Sequence, residues 1–274
     1  MKKVTTVLFV AILAVTLSGC GGTKTEKINS IPDLKGKVIG ALASGASTKN
    51  YETMVYKLIG AEPKEIVYFK RGMDVYTALS SGKIDAFPTM NFCANYMLKR
   101  DKTLKMIEVP AKIEGGVIMV VRTEDQLLKE DLDKGISTLQ DNGTLNTLES
   151  RWITNLSEND PVSEPMPKIE GAKTVYVGVS GDWKPLDYIA ADGRPAGYNV
   201  AILSEIGKLL NINFEFVSIE ADARFTALFS KKIDVIFYHF QSSNTDYFDE
   251  FKNPNWIGTK PYYFYKGGCF VVKK

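Results

Sequence analysis

Apolar positions along the chain fall into alternating blocks with two different periods. Short runs rich in β-branched and aromatic residues, Val38–Leu42, Glu65–Phe69, Ala86–Met90, Val175–Val179, Phe214–Ile219 and Val235–Phe240, have the length and content of buried strands. Between them, Met54, Val55, Leu58 and Ile59 share one helical face. Val200, Ile202, Leu203, Ile206, Leu209 and Leu210 recur at i, i+3 and i+4. The spacing predicts one helix starting near Ser47 and another through Val200–Leu210. Strand, helix, strand, helix, strand is the order of a parallel α/β sheet, because a parallel return needs a crossover that covers the sheet face.

That order occurs twice. Thr77-Ala78-Leu79-Ser80-Ser81-Gly82-Lys83-Ile84-Asp85-Ala86 recurs as Thr226-Ala227-Leu228-Phe229-Ser230-Lys231-Lys232-Ile233-Asp234-Val235. Gly40 and Gly178 occupy matching places in the strands upstream. Each copy ends in a glycine pair before an apolar strand, Gly115-Gly116 into Val117–Arg122 and Gly267-Gly268 into Cys269–Lys273. Residues 31–155 and 173–274 are therefore expected as two related units. Residues 156–172, with Pro161, Pro165 and Pro167, read as the linker between them. Paired α/β lobes take a ligand in the crevice at the carboxyl ends of their strands.

The start of the chain has a separate logic. Lys2 and Lys3 precede an apolar run, Val4–Leu17, too short for a permanent bilayer span of about 20 residues. Leu17-Ser18-Gly19-Cys20 resembles the lipobox of bacterial lipoproteins, in which the cysteine becomes the lipidated first residue of the mature chain. Residues 1–19 then read as a leader and 20–30 as a polar tether. An ordinary cleaved leader with an incidental cysteine is the alternative. Removing the leader takes away two lysines and leaves a formally neutral chain, since the whole has 34 Lys+Arg against 32 Asp+Glu. Such a balance gives no electrostatic case for nucleic acid. One histidine and three cysteines make a structural zinc site a poor fit, and no cofactor is expected. Cys93 and Cys269 are expected as buried small apolar residues rather than as a pair.

The segment Ser180-Gly181-Asp182-Trp183-Lys184-Pro185-Leu186-Asp187-Tyr188, followed by Asp192-Gly193-Arg194-Pro195-Ala196-Gly197-Tyr198-Asn199-Val200, resembles the opening of family 3 bacterial solute-binding proteins, the amino-acid receptors of ABC importers. Asp33-Leu34-Lys35-Gly36-Lys37, Ser81-Gly82-Lys83-Ile84-Asp85-Ala86 and Asp141-Asn142-Gly143-Thr144-Leu145 before Trp152 resemble that family's second half. The resemblance implies a periplasmic-binding-protein-like type II fold: α/β, two lobes, a ligand cleft. The halves stand in reverse order, so the chain reads as a circular permutant. A fragment of a tandem array is the alternative.

The same resemblance implies a site and shows where it is altered. Trp183, with Ser180 and Asp182 beside it, stands where an aromatic stacks on the ligand. The family's carboxylate-clamping Arg aligns with Asp246, its small amine-contacting residue with His239, and its amine-pairing Asp with Met90. Tyr238, Gln241 and Ser243 near the former, and Thr89 and Asn91 beside Met90, complete the expected lining. Ser44, Gly45 and Ser47 at a helix start would serve as an anion cradle or as a plain N-cap. His239, alone in an apolar strand, reads first as a packed core residue and second as a cleft residue. Lacking the clamp, the site is expected to disfavour ordinary α-amino acids and to suit a cationic or neutral solute, unless Lys184, Arg71 or Arg224 brings a base. The implied function is capture of a small polar solute for a membrane permease, by a monomer held outside the cytoplasmic membrane. A sensor or scaffold on the same fold, and a dehydratase-like enzyme acting on small acids, are the alternatives.

The leader yields a direct test. Cys20→Ala is expected to move the protein from the detergent phase to the aqueous phase in a detergent-partition assay. Unchanged partitioning would refute lipidation at Cys20.

Overall fold

The computed structural model describes residues 27–43, 48–110, 112–162, 165–242 and 254–274. The chain first lays down β1 (Val38–Leu42), α1 (Thr48–Ile59), β2 (Glu65–Phe69), α2 (Gly72–Ser81), β3 (Ala86–Met90), α3 (Asn91–Arg100) and β4 (Leu104–Glu108). It continues into β5 (Glu114–Arg122), α4 (Gln126–Asp141) and α5 (Thr144–Glu149). After the linker come β6 (Lys173–Val179), a small three-stranded excursion of β7 (Asp182–Trp183), β8 (Asp187–Ile189) and β9 (Pro195–Ala196), then α6 (Tyr198–Leu210) and β10 (Ile212–Ser218). The remainder is α7 (Arg224–Phe229), β11 (Val235–Ser242), β12 (Trp256–Gly258), β13 (Tyr263–Lys266) and β14 (Gly268–Lys273).

These strands form two large sheets, each borrowing a strand from the other half of the chain. The first is ordered β2-β1-β3-β14-β4 and the second β10-β6-β11-β5-β12, with β13 also paired to β5. β14, from the end of the sequence, lies antiparallel between β3 and β4. β5, from the first half, lies antiparallel to β11, β12 and β13. The result is the two-lobed α/β architecture expected from sequence. Gly115 and Gly116 lie within β5 rather than before it, whereas Gly267 precedes β14 and Gly268 begins it. At Gly116 a Cβ would stand 2.7 Å from Pro261, so the close approach of that chain excludes a side chain.

The internal repeat is equally clear in three dimensions. Asp85 accepts the Val38 N–H at 2.7 Å, and Asp234 accepts the Tyr176 N–H at 3.0 Å, so each Asp ties the entry of its lobe's third strand to the first. Ile84 and Ile233 press on Gly40 and Gly178, where an added Cβ would collide with the isoleucine Cδ1. Gly82 ends α2 in the left-handed region at φ 77°, closing the last turn onto Ala78 and Leu79. Its counterpart Lys231 holds the same region at φ 61° without glycine's freedom.

The helices that follow β5 pack on the second lobe. Leu128, Leu132, Ile136 and Leu139 make the buried stripe of α4, in one core with Ile202, Leu203 and Ile206 of α6. Burying each such side chain contributes roughly 1.5–3 kcal/mol. At the crossing, Gly135 brings the two backbones close: a Cβ there would sit 3.1 Å from Ile206 Cγ2. Trp152, 2% exposed, makes an edge contact with Tyr188 at 6.5 Å between ring centroids. Tyr262, Tyr263 and Tyr265 are buried around β13, whereas Phe264 points out, as strand alternation requires.

The α4–α6 crossing sets a test of this packing. Gly135→Leu is expected to destabilise the protein by about 1–3 kcal/mol through overpacking, read as a lower denaturant midpoint at unchanged slope. No change would mean that the two helices do not cross there.

Candidate functional site

The parallel strands of the first lobe end at Leu42, Phe69 and Met90, and those of the second at Val179, Ser218 and Ser242. A cavity of about 220 Å³ lies between, lined by Lys70 and Arg71 from the first lobe and by Ser180, Asp182, Ser218, Ile219 and Glu220 from the second. Charges cross it. Lys70 Nζ lies 2.9 Å from Glu220 and 3.7 Å from Asp222, and Arg71 Nε lies 3.5 Å from Asp182 Oδ2. The hydrogen bond to Glu220, then the Asp222 charge, holds the Lys70 pKa above its ordinary value.

Asp182 and Arg71 are unequal partners. The Asp182 side chain is 4% exposed and the Arg71 side chain 59%. Asp182 Oδ2 also accepts the Met73 N–H at 3.3 Å, in the first turn of α2, where the helix dipole favours an anion. Its Oδ1 is buried without a hydrogen-bond partner among the described residues. Trp183 covers the first residue of α2: a Cβ on Gly72 would stand 2.5 Å from its ring, so only glycine admits the indole.

Behind Ser180 sits a second carboxylate. Asp187 is 1% exposed, and burial pushes its pKa up to about 6. The opposing pulls are the Gly181 N–H at 2.7 Å, the Ser180 hydroxyl at 3.0 Å and the charge of Arg224. Arg224 is itself buried. Its Nη1 donates to the Tyr238 carbonyl at 3.1 Å, and its guanidinium lies 5.1 Å over the Tyr238 ring. Lys184 pairs with Asp160 of the linker at 2.7 Å, and Asp160 also holds Arg100 at 2.8 Å and the Tyr96 hydroxyl of α3. Of the three bases that could replace the missing clamp, Arg71 alone is among the residues lining the cavity.

His239 belongs to the core, not the cleft. The β11–β5 register shifts between Phe237 and His239, so Tyr238 is an extra residue and the faces exchange there. Phe237 and Tyr238 both join the main core, and His239 turns to the opposite face. There its ring lies 6.0 Å from Phe225 and 5.4 Å from Trp256. Burial, then the charge of Arg224, lowers its pKa to about 4, so it is a neutral packing residue at physiological pH.

The other expected residues are dispersed. Ser180 and Asp182 line the cavity, and Trp183 flanks it against α2. Tyr238, Gln241, Thr89, Met90 and Asn91 are not among the lining residues. Met90 packs against the main core, Gln241 is exposed, and Asn91 crowds Gly267 at the crossover into β14. Ser44, Gly45, Ser47, Ser243, Asp246 and Cys20 lie outside the described residues. Lys70, Ser218, Ile219 and Glu220 were not anticipated. They end or follow the second strand of each lobe, β2 and β10, so the repeat itself held the signal.

The model of bacterial extracellular solute-binding proteins, family 3, matches residues 175–245, and an NMT1/THI5-like model matches residues 2–134. The L-cystine-binding protein TcyK of Bacillus subtilis is 28% identical over 133 residues, 47% of this chain and 47% of that protein. A probable amino-acid ABC transporter-binding protein of Haemophilus influenzae is 28% identical over 106 residues, 39% of this chain and 38% of that one. The chain thus spans less than half the length of these relatives. Among solved structures, the ligand-binding component of an ABC-type import system from Staphylococcus aureus, with zinc bound, gives a TM-score of 0.44 at 15% identity, over 87% of this chain and 66% of that one. An ancestral arginine-binding protein bound to arginine gives 0.41 at 13%, over 88% and 86%. By its sequence matches, residues 175–245 are similar to family 3 of the bacterial extracellular solute-binding proteins.

Proposed function

We propose that this protein captures a small polar solute between its two lobes and hands it to an ABC permease, working outside the cytoplasmic membrane and anchored by lipid at Cys20. The observation that carries this is the interlobe cavity, whose walls come from both lobes and bring opposite charges. A ligand touching both walls stabilises the closed pair, and closure about the crossings between lobes is the matching motion. The names of the curated relatives, which bind L-cystine or serve an amino-acid transporter, support the reading.

The reversed order of the halves is proposed to be a circular permutation, with boundaries at the linker 156–172. Two contacts support it. The Lys274 N–H donates to the Thr103 carbonyl at 2.8 Å, and Lys105 Nζ reaches the Asn29 side chain at 2.5 Å. The last residue and Asn29 thus meet the same end of β4, as they would if the chain once ran through.

Two measurements check these proposals. A thermal-shift screen against amino acids, amines and small acids is expected to find a class that raises the melting temperature by mass action; no shift at millimolar concentrations would refute solute capture. Joining Lys274 to Asn29 by a short linker and reopening the chain within residues 156–172 is expected to leave the melting temperature within a few degrees of the parent. Failure of that rearranged chain to fold would refute the permutation.

A further inference from the structure

The charges facing the cavity are sorted by lobe. Both bases, Lys70 and Arg71, stand on the first lobe, and both acids, Asp182 and Glu220, on the second. The family resemblance implies the opposite, a base near the end of β11 on the second lobe and an acid at the end of β3 on the first. From this sorting we infer that the cleft takes a zwitterionic solute in reversed polarity, its carboxylate against Lys70 and Arg71 and its ammonium against Asp182 and Glu220. The inference rests on the solute-binding function proposed above and names its ligand class.

The pairs across the cleft show how exchange would work. With the lobes closed on each other, Lys70 pairs with Glu220 and Arg71 with Asp182. A zwitterion entering between them splits these pairs and offers its carboxylate to the bases and its ammonium to the acids, with Asp222, 3.7 Å from Lys70, adding to the acidic side. A simple anion would leave the buried Asp182 opposed, a desolvated mismatch, and a simple cation would leave Arg71 opposed in a more solvated setting. Asp182 is prepared for the ammonium. It is held by the Met73 N–H, nearly excluded from water, and its Oδ1 is an acceptor without a donor among the described residues. Arg71, exposed over more than half its side chain, can turn from Asp182 to a carboxylate without opening the core. Ser180 and Ser218 line the same wall, the Ser180 hydroxyl donating to Asp187 at 3.0 Å. The cavity of about 220 Å³ holds roughly seven waters' volume, which suits a small or medium amino acid. The expected disfavour toward α-amino acids followed from the missing clamp near Asp246; bases on the opposite lobe remove its basis.

Calorimetry on the whole protein tests this with a fixed panel: the standard amino acids and L-cystine, then the tightest of them beside its carboxamide and its N-acetyl derivative. In the parent, loss of either charge is expected to weaken binding by roughly ten- to a hundred-fold, the range of a charged hydrogen bond. In Arg71→Ala the penalty for the carboxamide should collapse while the N-acetyl penalty persists; in Asp182→Asn the two should exchange. Lys70→Ala, at an exposed position, repeats the Arg71 test should Asp182→Asn fold poorly. The opposite assignment, or equal losses for all three compounds, would overturn the polarity while leaving solute capture intact. So would a parent that binds only free amines or only free acids. A parent that binds none of the panel, nor any amine or acid, would overturn both.

Discussion

Neither sheet can be completed by its own half of the chain. β3 and β4 would each present a bare edge without β14, and β11 would without β5. A row of unpaired N–H and C=O groups is costly when buried and sticky when exposed. The exchange of β5 and β14 removes both edges at once and puts each borrowed strand in the interior of its new sheet. This one constraint fixes much else. It places the two chain crossings side by side, with Val109 and Ile113 bonded to Gly268 and Gly267, and brings the strand ends of both lobes to a shared crevice. It also couples the lobes in folding, because the pairings that complete each sheet join residues more than a hundred positions apart.

Within that frame the cleft is an electrostatic device. Its ion pairs are exposed on the first-lobe side, where each is worth little on its own; on the second-lobe side Asp182 is buried, whereas Glu220 and Asp222 are exposed. Such pairs hold a closed geometry without making it expensive to open. The linker contributes at the back, where Asp160 gathers Lys184 from one lobe and Arg100 and Tyr96 from the other. Opening the cleft would have to be reconciled with that contact, which makes residues 156–172 more than a spacer.

The architecture was legible because its signals are local and repeated. Strand runs, helical stripes and the Ile-Asp motif that fastens Asp85 and Asp234 each depend on a few neighbouring residues. The site was less legible, for reasons visible at single positions. His239 reads from sequence first as a packed residue and second as a cleft residue, and what decides its face is the one bulged residue at Tyr238. The register shift comes from pairing with β5, which is remote in sequence. Lys70 and Glu220 were missed because nothing local separates an exposed Lys or Glu after a strand from any other. Only the superposition of the two repeats, and then the closure of the lobes, brings them opposite each other. Asp182 was named for its neighbourhood to Trp183, and its value lies in a backbone partner at Met73, on the other lobe.

Asn29 and Lys274 meet β4 at its starting end, the pole of the first lobe farthest from the crevice, since β14 runs antiparallel to β3 and ends there. A lipid on Cys20 would attach at that pole. With eight residues between Cys20 and Asn29, the proposed tether would reach at most ~32 Å, so it would hold the first lobe by the end opposite the crevice and leave the crevice at the far side of that lobe from the attachment.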